Sequence, residues 1–208
     1  MTELNQPWLN RGPIVPVIVI EDAAVAVDLA KALVAGGLSA LEVTLRTLAG
    51  LAAIEAIANA VPEAAVGAGT LRLPEDFARV RDAGGTFAVT PGYTRALGRA
   101  SHDTGIPLLP GVATASELLL AYADGFRFLK FFPAVAAGGI PVLKALAGPF
   151  PDVRFCPTGG ITVTTAPDFL ALPTVGVCGG TWLTPPDRVA ARDWPAITAL
   201  AEQAAALG

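Results

Sequence analysis

One histidine, His102, and two cysteines, Cys156 and Cys178, are all the imidazoles and thiols that 208 residues offer a metal. A metal-dependent enzyme of the usual kind needs two or three imidazoles beside its carboxylates, so the expectation is no metal and no cofactor. Neither cysteine belongs to a Cys-x-x-Cys pair and both sit in apolar surroundings, which reads as buried free thiols. Basic residues are few and scattered and the net charge is -4, which leaves no footprint for a nucleic acid. The most compact apolar run, Ile14 to Ile20, is seven residues long and contains Pro16; a bilayer span needs about 20. Residues 1–12 lack the basic and apolar regions of a secretory signal, so a cytoplasmic protein is expected. What is present is apolar: 53% hydrophobic against 15% charged residues is enough for a sizeable core. The expected partner is a small molecule.

Short, often β-branched runs alternate with longer Ala- and Leu-rich segments. Strands are predicted at Ile14–Ile20, Ala40–Leu45, Ala64–Gly67, Thr86–Val89, Pro107–Leu109, Arg127–Phe131, Val153–Phe155 and Val175–Cys178. Helices are predicted near 22–35, 47–60, 74–83, 94–103, 114–123, 138–147, 164–171 and 187–206. Start signals support several: Glu21-Asp22, Pro74 with Glu75, the capping box Thr114/Glu117, and Thr164. Glycines close others, as at Gly36-Gly37, Gly84-Gly85, Gly125 and Gly148. Strict alternation calls for a parallel sheet, and eight units close a (β/α)8 TIM barrel. The competing doubly wound sheet wants a G-x-G-x-x-G after the first strand, and none is there. With no linker or shift in composition, residues 1–208 read as a single domain with a short N-terminal extension.

A barrel places its chemistry at the C-terminal ends of its strands. The period of two puts Glu42, Thr44 and Arg46 on one face of the second strand and Leu41, Val43 and Leu45 on the other. On the sixth strand it groups Phe128, Lys130 and Phe132. Lys130 is one of only three lysines. Among phenylalanines an ammonium loses hydration, which favours the neutral, nucleophilic amine that can form an iminium with a ketone. The blander reading is a lysine that snorkels to water or simply pairs with a carboxylate. Inward-facing Lys130, Glu42 and Arg46 would join an amine, a proton carrier and a carboxylate clamp, the minimum for chemistry on a 2-keto acid.

Two Gly-rich segments end the last two strands: Pro157-Thr158-Gly159-Gly160 and Cys178-Gly179-Gly180-Thr181. Paired glycines let backbone N–H groups approach an anion, and in barrels these two loops commonly hold a substrate phosphate. Gly36-Gly37 and Gly138-Gly139 read as turns. His102 reads as a structural or exposed residue at the end of a surface helix.

In order along nearly the whole chain, Leu41-Glu42-Val43-Thr44-Leu45-Arg46-Thr47, Val66-Gly67-Ala68-Gly69-Thr70, Pro91-Gly92, Leu109-Pro110-Gly111-Val112, Lys130-Phe131-Phe132-Pro133-Ala134, Ala147-Gly148-Pro149-Phe150 and Phe155-Cys156-Pro157-Thr158-Gly159-Gly160-Ile161 resemble the 2-keto-3-deoxy-6-phosphogluconate (KDPG) aldolase / 4-hydroxy-2-oxoglutarate aldolase family. The resemblance implies a homotrimeric class I (Schiff-base) aldolase that releases pyruvate and glyceraldehyde 3-phosphate from the phosphorylated keto acid. Cleavage of 4-hydroxy-2-oxoglutarate to pyruvate and glyoxylate is implied as well. By position, Lys130 matches the Schiff-base lysine and Glu42 the general acid/base. Arg46, Thr70 and Pro91 match the pyruvyl pocket, with Phe132 beside the imine. Thr158, Gly159, Gly160, Gly179, Gly180 and Thr181 match the phosphate end. Three departures stand out: Thr181 where some relatives have Ser, the segment Tyr93 to His102, and Val135-Ala136-Ala137 where an acidic residue is common. The rival readings are a metal-free phosphosugar isomerase with Lys130 as acid, and a catalytically silent barrel that binds phosphate ligands.

Overall fold

The computed structural model describes residues 11–207, so the expected N-terminal extension over residues 1–12 lies almost wholly outside them. Nine parallel strands appear: β1 (Ile14–Ile18), β2 (Ala40–Thr44), β3 (Ala65–Gly69), β4 (Ala88–Val89), β5 (Leu108–Leu109), β6 (Gly111–Val112), β7 (Phe128–Phe131), β8 (Arg154–Pro157) and β9 (Cys178–Gly180). Helices α1 (Ala26–Ala35), α2 (Gly50–Ala60), α3 (Glu75–Asp82), α4 (Arg95–Thr104), α5 (Ala115–Ala123), α6 (Gly139–Ala147), α7 (Ala166–Leu170), α8 (Pro186–Ala190) and α9 (Trp194–Ala205) fill the intervals. Among the described residues no helix is long and apolar enough to cross a membrane.

The strands form a curled parallel sheet of six, in the order β5-β4-β3-β2-β1-β9, and a second of three, β6-β7-β8. The eight predicted units are all present, but the ladder is not one continuous band of eight. The fifth strand runs on past the predicted Pro107–Leu109, and Pro110, which has no N–H to donate, divides it into β5 and β6. Its carbonyl still accepts from the Lys130 amide at 2.9 Å. Between β8 and β9 the pairing thins to the isolated bridges Phe155↔Val175 and Thr158↔Gly179.

Several boundaries differ from expectation. The eighth strand is Cys178–Gly180 rather than Val175–Cys178, because β1 holds Gly179 and Gly180 in register against Val15 and Pro16. Sheet context here overrides the poor strand propensity of glycine. The last helix is two helices: Arg192 turns at φ 53 and Asp193 caps a new start, accepting from the Ala196 amide at 3.3 Å. Pro195 requires that restart, since a proline suits only the first turn of a helix. The capping box at α5 forms as expected, with Thr114 and Glu117 each bonding the other's backbone. At α7 the cap is Thr165 rather than Thr164.

Side-chain alternation divides the core in two. Leu41, Val43, Val66, Ala68, Leu129 and Phe131 join the helices in one large apolar layer. Val15, Ala40, Ala65, Phe87, Val89, Leu109, Cys156 and Val177, with Phe128 against them, fill the concave side of the sheet as a smaller cluster. Ala40 and Phe128 of that cluster stand one inward position before Glu42 and Lys130 on β2 and β7. Burial pushes the Cys156 thiol up to about 12. Both cysteines are free and buried, as expected.

The segment Tyr93–His102 is tied down at its start. The Tyr93 hydroxyl donates to Asp124 Oδ2 at 3.0 Å, Arg95 Nε meets the same oxygen at 3.2 Å, and the Tyr93 ring sets its edge against Phe126 at 5.2 Å between centroids. His102, at the far end of α4, is solvent-exposed. Burial, then the hydrogen bond to Asp124 and its charge, raise the Tyr93 phenol well above its ordinary value of 10. An unfolded chain therefore releases that proton first as the solution becomes alkaline, and folding stability falls as pH rises above about 10. Denaturant midpoints measured across pH 8–12 are expected to drop more steeply for the wild type than for Tyr93→Phe, by the contribution of one proton.

Candidate active site

Lys130 and Glu42 are 88 residues apart in sequence, and their buried side chains meet: Nζ lies 3.2 Å from Oε1. Lys130 is 4% exposed and Glu42 3%. Each arrives by the alternation of its strand. Leu129 and Phe131 face the helices, so Lys130 faces inward, and Leu41 and Val43 do the same for Glu42. The Lys130 ammonium also stands 5.2 Å from the centroid of the Phe132 ring. A buried ion pair adds little net stability compared with apolar residues of equal volume, yet breaking one costs about 3–5 kcal/mol. Moving one proton across 3.2 Å turns this pair into a neutral amine and a neutral carboxylic acid, a nucleophile and a proton donor in contact.

Arg46 lies past the end of β2, where the regular alternation gives way to a turn. Its Nε donates to Thr70 Oγ1 at 3.3 Å, and the guanidinium is exposed at the rim. Thr44, one of the residues placed on the inner face, is fully buried and donates to the Ile18 carbonyl at 3.0 Å, fastening the top of β2 to β1. Thr70 has φ 65, a left-handed conformation that disfavours β-branched side chains and costs about 1–3 kcal/mol. The strain coincides with the contact to Arg46. Thr70→Gly is expected to leave the melting temperature unchanged or raise it by a few degrees, because strain relief of ~1–3 kcal/mol outweighs the ~1 kcal/mol backbone entropy of glycine. The same variant should bind a keto acid more weakly. A lowered melting temperature with unaltered binding would contradict a functional origin of the strain.

Pro91 follows buried Thr90 at the end of β4 and stays exposed, its backbone packed so close to Gly111 that a Cβ there would strike it. The structure brings the two Gly-rich segments together through the Thr158↔Gly179 bridge. Gly159 and Gly160 take φ 102 and 78, conformations that other residues rarely adopt. The Phe132 ring lies 3.4 Å from the position a Gly159 Cβ would occupy, so the apolar wall beside Lys130 continues to this end of the site. Thr181 is exposed on the adjoining rim. Thr158 is placed differently from its neighbours: it is 4% exposed, and its hydroxyl donates to the Cys156 carbonyl at 3.3 Å.

Among the described residues no three His, Cys, Asp or Glu side chains gather as metal ligands.

The model of the family described as "Aldolase: KDPG and KHG aldolase" matches residues 6–200. The KHG/KDPG aldolase of Escherichia coli is 53% identical over 196 residues, 94% of this chain and 92% of that one. The crystal structure of KDPG aldolase from Legionella pneumophila, with pyruvate captured as a covalent carbinolamine intermediate, superposes with a TM-score of 0.93 at 45% identity, covering 95% of this chain and 96% of that one. The Zymomonas mobilis 2-keto-3-deoxy-6-phosphogluconate aldolase with 3-phosphoglycerate gives 0.93 at 45% identity, over 99% and 96% of the two chains. On this evidence the chain belongs to the KDPG and KHG aldolase family.

Proposed function

We propose that the protein is a class I aldolase that cleaves 2-keto-3-deoxy-6-phosphogluconate to pyruvate and glyceraldehyde 3-phosphate, and 4-hydroxy-2-oxoglutarate to pyruvate and glyoxylate. The observation that carries the reading is the buried contact of Lys130 Nζ with Glu42 Oε1 at 3.2 Å. Relatives of about half identity bear the corresponding names. Neutral Lys130 adds to C2 of the keto acid, and protonated Glu42 returns its proton to the carbinolamine hydroxyl, which leaves as water. The resulting iminium withdraws the electron pair of the C3–C4 bond while the Glu42 carboxylate takes the proton of the C4 hydroxyl. The aldehyde departs, the enamine is protonated at C3, and hydrolysis frees pyruvate and Lys130. One carboxylate thus alternates between base and acid.

Arg46 and Thr70 hold the keto-acid carboxylate, Pro91 bounds that pocket, and Phe132 keeps water from the imine. The amides of Gly159 and Gly160, with the Thr181 hydroxyl, receive the phosphate, the bare backbone of Gly179 and Gly180 leaves room for it, and Thr158 braces the two segments. Arg46→Ala is expected to raise KM for the keto acid about tenfold or more with kcat nearly kept, because a clamp that grips ground and transition states alike affects binding alone. Steady-state cleavage coupled to pyruvate reduction reads both constants. A fall in kcat alone would speak against the clamp.

The reading includes a single domain over residues 1–208 and a closed (β/α)8 barrel. The sequence continuity of β5 and β6 across Pro110 and the two bridges between β8 and β9 support closure. It also includes a homotrimer in the cytoplasm, where a membrane-impermeant phosphorylated sugar acid is formed and consumed. Val19, Leu48 and Leu73 stand exposed just beyond the ends of adjacent strands β1, β2 and β3, an apolar rim suited to a second copy. Light scattering is expected to return three chain masses.

A further inference from the structure

β3 reads Ala65-Val66-Gly67-Ala68-Gly69, an unpromising strand, since interior glycine weakens a sheet. Gly67 is accounted for by packing, because a Cβ there would enter the Phe87 ring. Gly69 needs a different explanation. Its φ is not in the left-handed region, so the backbone conformation is open to any residue. It is buried, and it pairs in register with Thr44 of β2. The three heavy atoms nearest to a Cβ built at Gly69 all belong to Glu42: Cγ at 2.7 Å, Cδ at 2.8 Å, and Oε1 closer still. Glu42 itself pairs in register with Gly67, so its side chain leans one pleat toward the C-terminal rim and lies across the bare backbone of Gly69. Oε1 is also the oxygen that meets Lys130 Nζ.

We propose that Gly69 is a positioning residue: the missing side chain is the seat of the Glu42 carboxylate, and it sets the contact between that carboxylate and Lys130. A methyl group at 69 demands a retreat of roughly an ångström from atoms that ordinary contact keeps beyond about 3.4 Å. The carboxylate cannot retreat within its own strand, because β2 is hydrogen-bonded to β1 and β3 on both sides. Its side chain must rotate instead, which changes the contact that Oε1 makes with Lys130. A misplacement of about 1 Å in a catalytic group costs on the order of a hundredfold in rate. Arg46 and Thr70 lie beyond the obstruction, so binding of the keto-acid carboxylate is left in place.

The proposal rests on the aldolase reading and is tested by a double-substitution cycle. Gly69→Ala is made in the wild type and in a Glu42→Ala background, where neither carboxylate nor obstruction remains. Cleavage of the phosphorylated keto acid, borohydride trapping of pyruvate and the melting temperature are measured for all four proteins. In the wild type, Gly69→Ala is expected to lower kcat about a hundredfold with KM changed less than about threefold. In the Glu42→Ala background it should change residual turnover and trapping less than twofold, since sites that act through one another are not additive. A loss of similar size in both backgrounds, or full activity of Gly69→Ala alone, overturns the proposal. If Gly69→Ala folds only when Glu42 is alanine, the seat is confirmed through stability; if it folds in neither, the backbone rejects the methyl group and the proposal falls. A folded wild type that neither traps pyruvate nor cleaves substrate overturns the aldolase reading, and the proposal with it.

Discussion

Replacing Lys130 by methionine is expected to lower turnover roughly 10⁵- to 10⁶-fold, the scale on which loss of a covalent nucleophile is felt. Methionine keeps much of the apolar stem, so the inner cluster beneath is left filled. It also leaves Glu42, 3% exposed, without its partner. A buried carboxylate so abandoned costs about 3–5 kcal/mol, and the single variant is therefore expected to melt at a lower temperature. Adding Glu42→Leu to it removes the stranded charge and its need for hydrogen bonds. The double variant is expected to recover at least the wild-type melting temperature while remaining inactive, because apolar replacements of a whole buried pair are often neutral or stabilising. That opposition would identify the Lys130–Glu42 pair as kept for chemistry at the expense of stability. A double variant that stays as unstable as the single one would mean that the pair holds the fold together.

Glu42→Gln alone carries the second large effect. The amide is nearly isosteric and can still accept a hydrogen bond from Lys130 across the 3.2 Å gap, but it can neither take nor give the proton that each stage of the cycle needs. A fall in kcat of about 10²- to 10⁴-fold is expected, the range spanned by a general acid/base. KM should move little, since Arg46 and Thr70 bind the substrate carboxylate elsewhere. Stopped-flow mixing with pyruvate should show slowed imine formation in the same variant, because carbinolamine dehydration uses the same carboxylate. Near-normal turnover would remove Glu42 from the mechanism.

Much of this site was legible in the sequence, for a physical reason. The period of two along Leu41–Leu45 and Phe128–Phe132 assigns each residue to a face, and the apolar face goes to the helices; Glu42 and Lys130 were therefore placed on the inner side, near the ends of their strands. The Gly-Gly pairs after β8 and inside β9 were visible as bare backbone, although that at Gly179-Gly180 proved to be strand. What alternation does not encode is register, the relative slide of two strands. The passage of Glu42 across Gly69, rather than Gly67, is a matter of register and side-chain lean, and no local pattern announces it. The left-handed turn at Thr70 is equally silent, because threonine is a residue that tertiary contacts, not propensity, drive into that conformation. Pro110 and Pro195 did carry signals: a missing N–H splits one strand and restarts one helix.

The central claim is that Lys130 forms an imine with a keto acid. Its most direct test is peptide mass spectrometry after incubation with pyruvate and borohydride, with the wild type beside Lys130→Met. The account predicts one reduced-pyruvate adduct, mapped to the peptide that contains Lys130 and missing from the variant. A folded wild type with no adduct, or with one on Lys31 or Lys144, would contradict it.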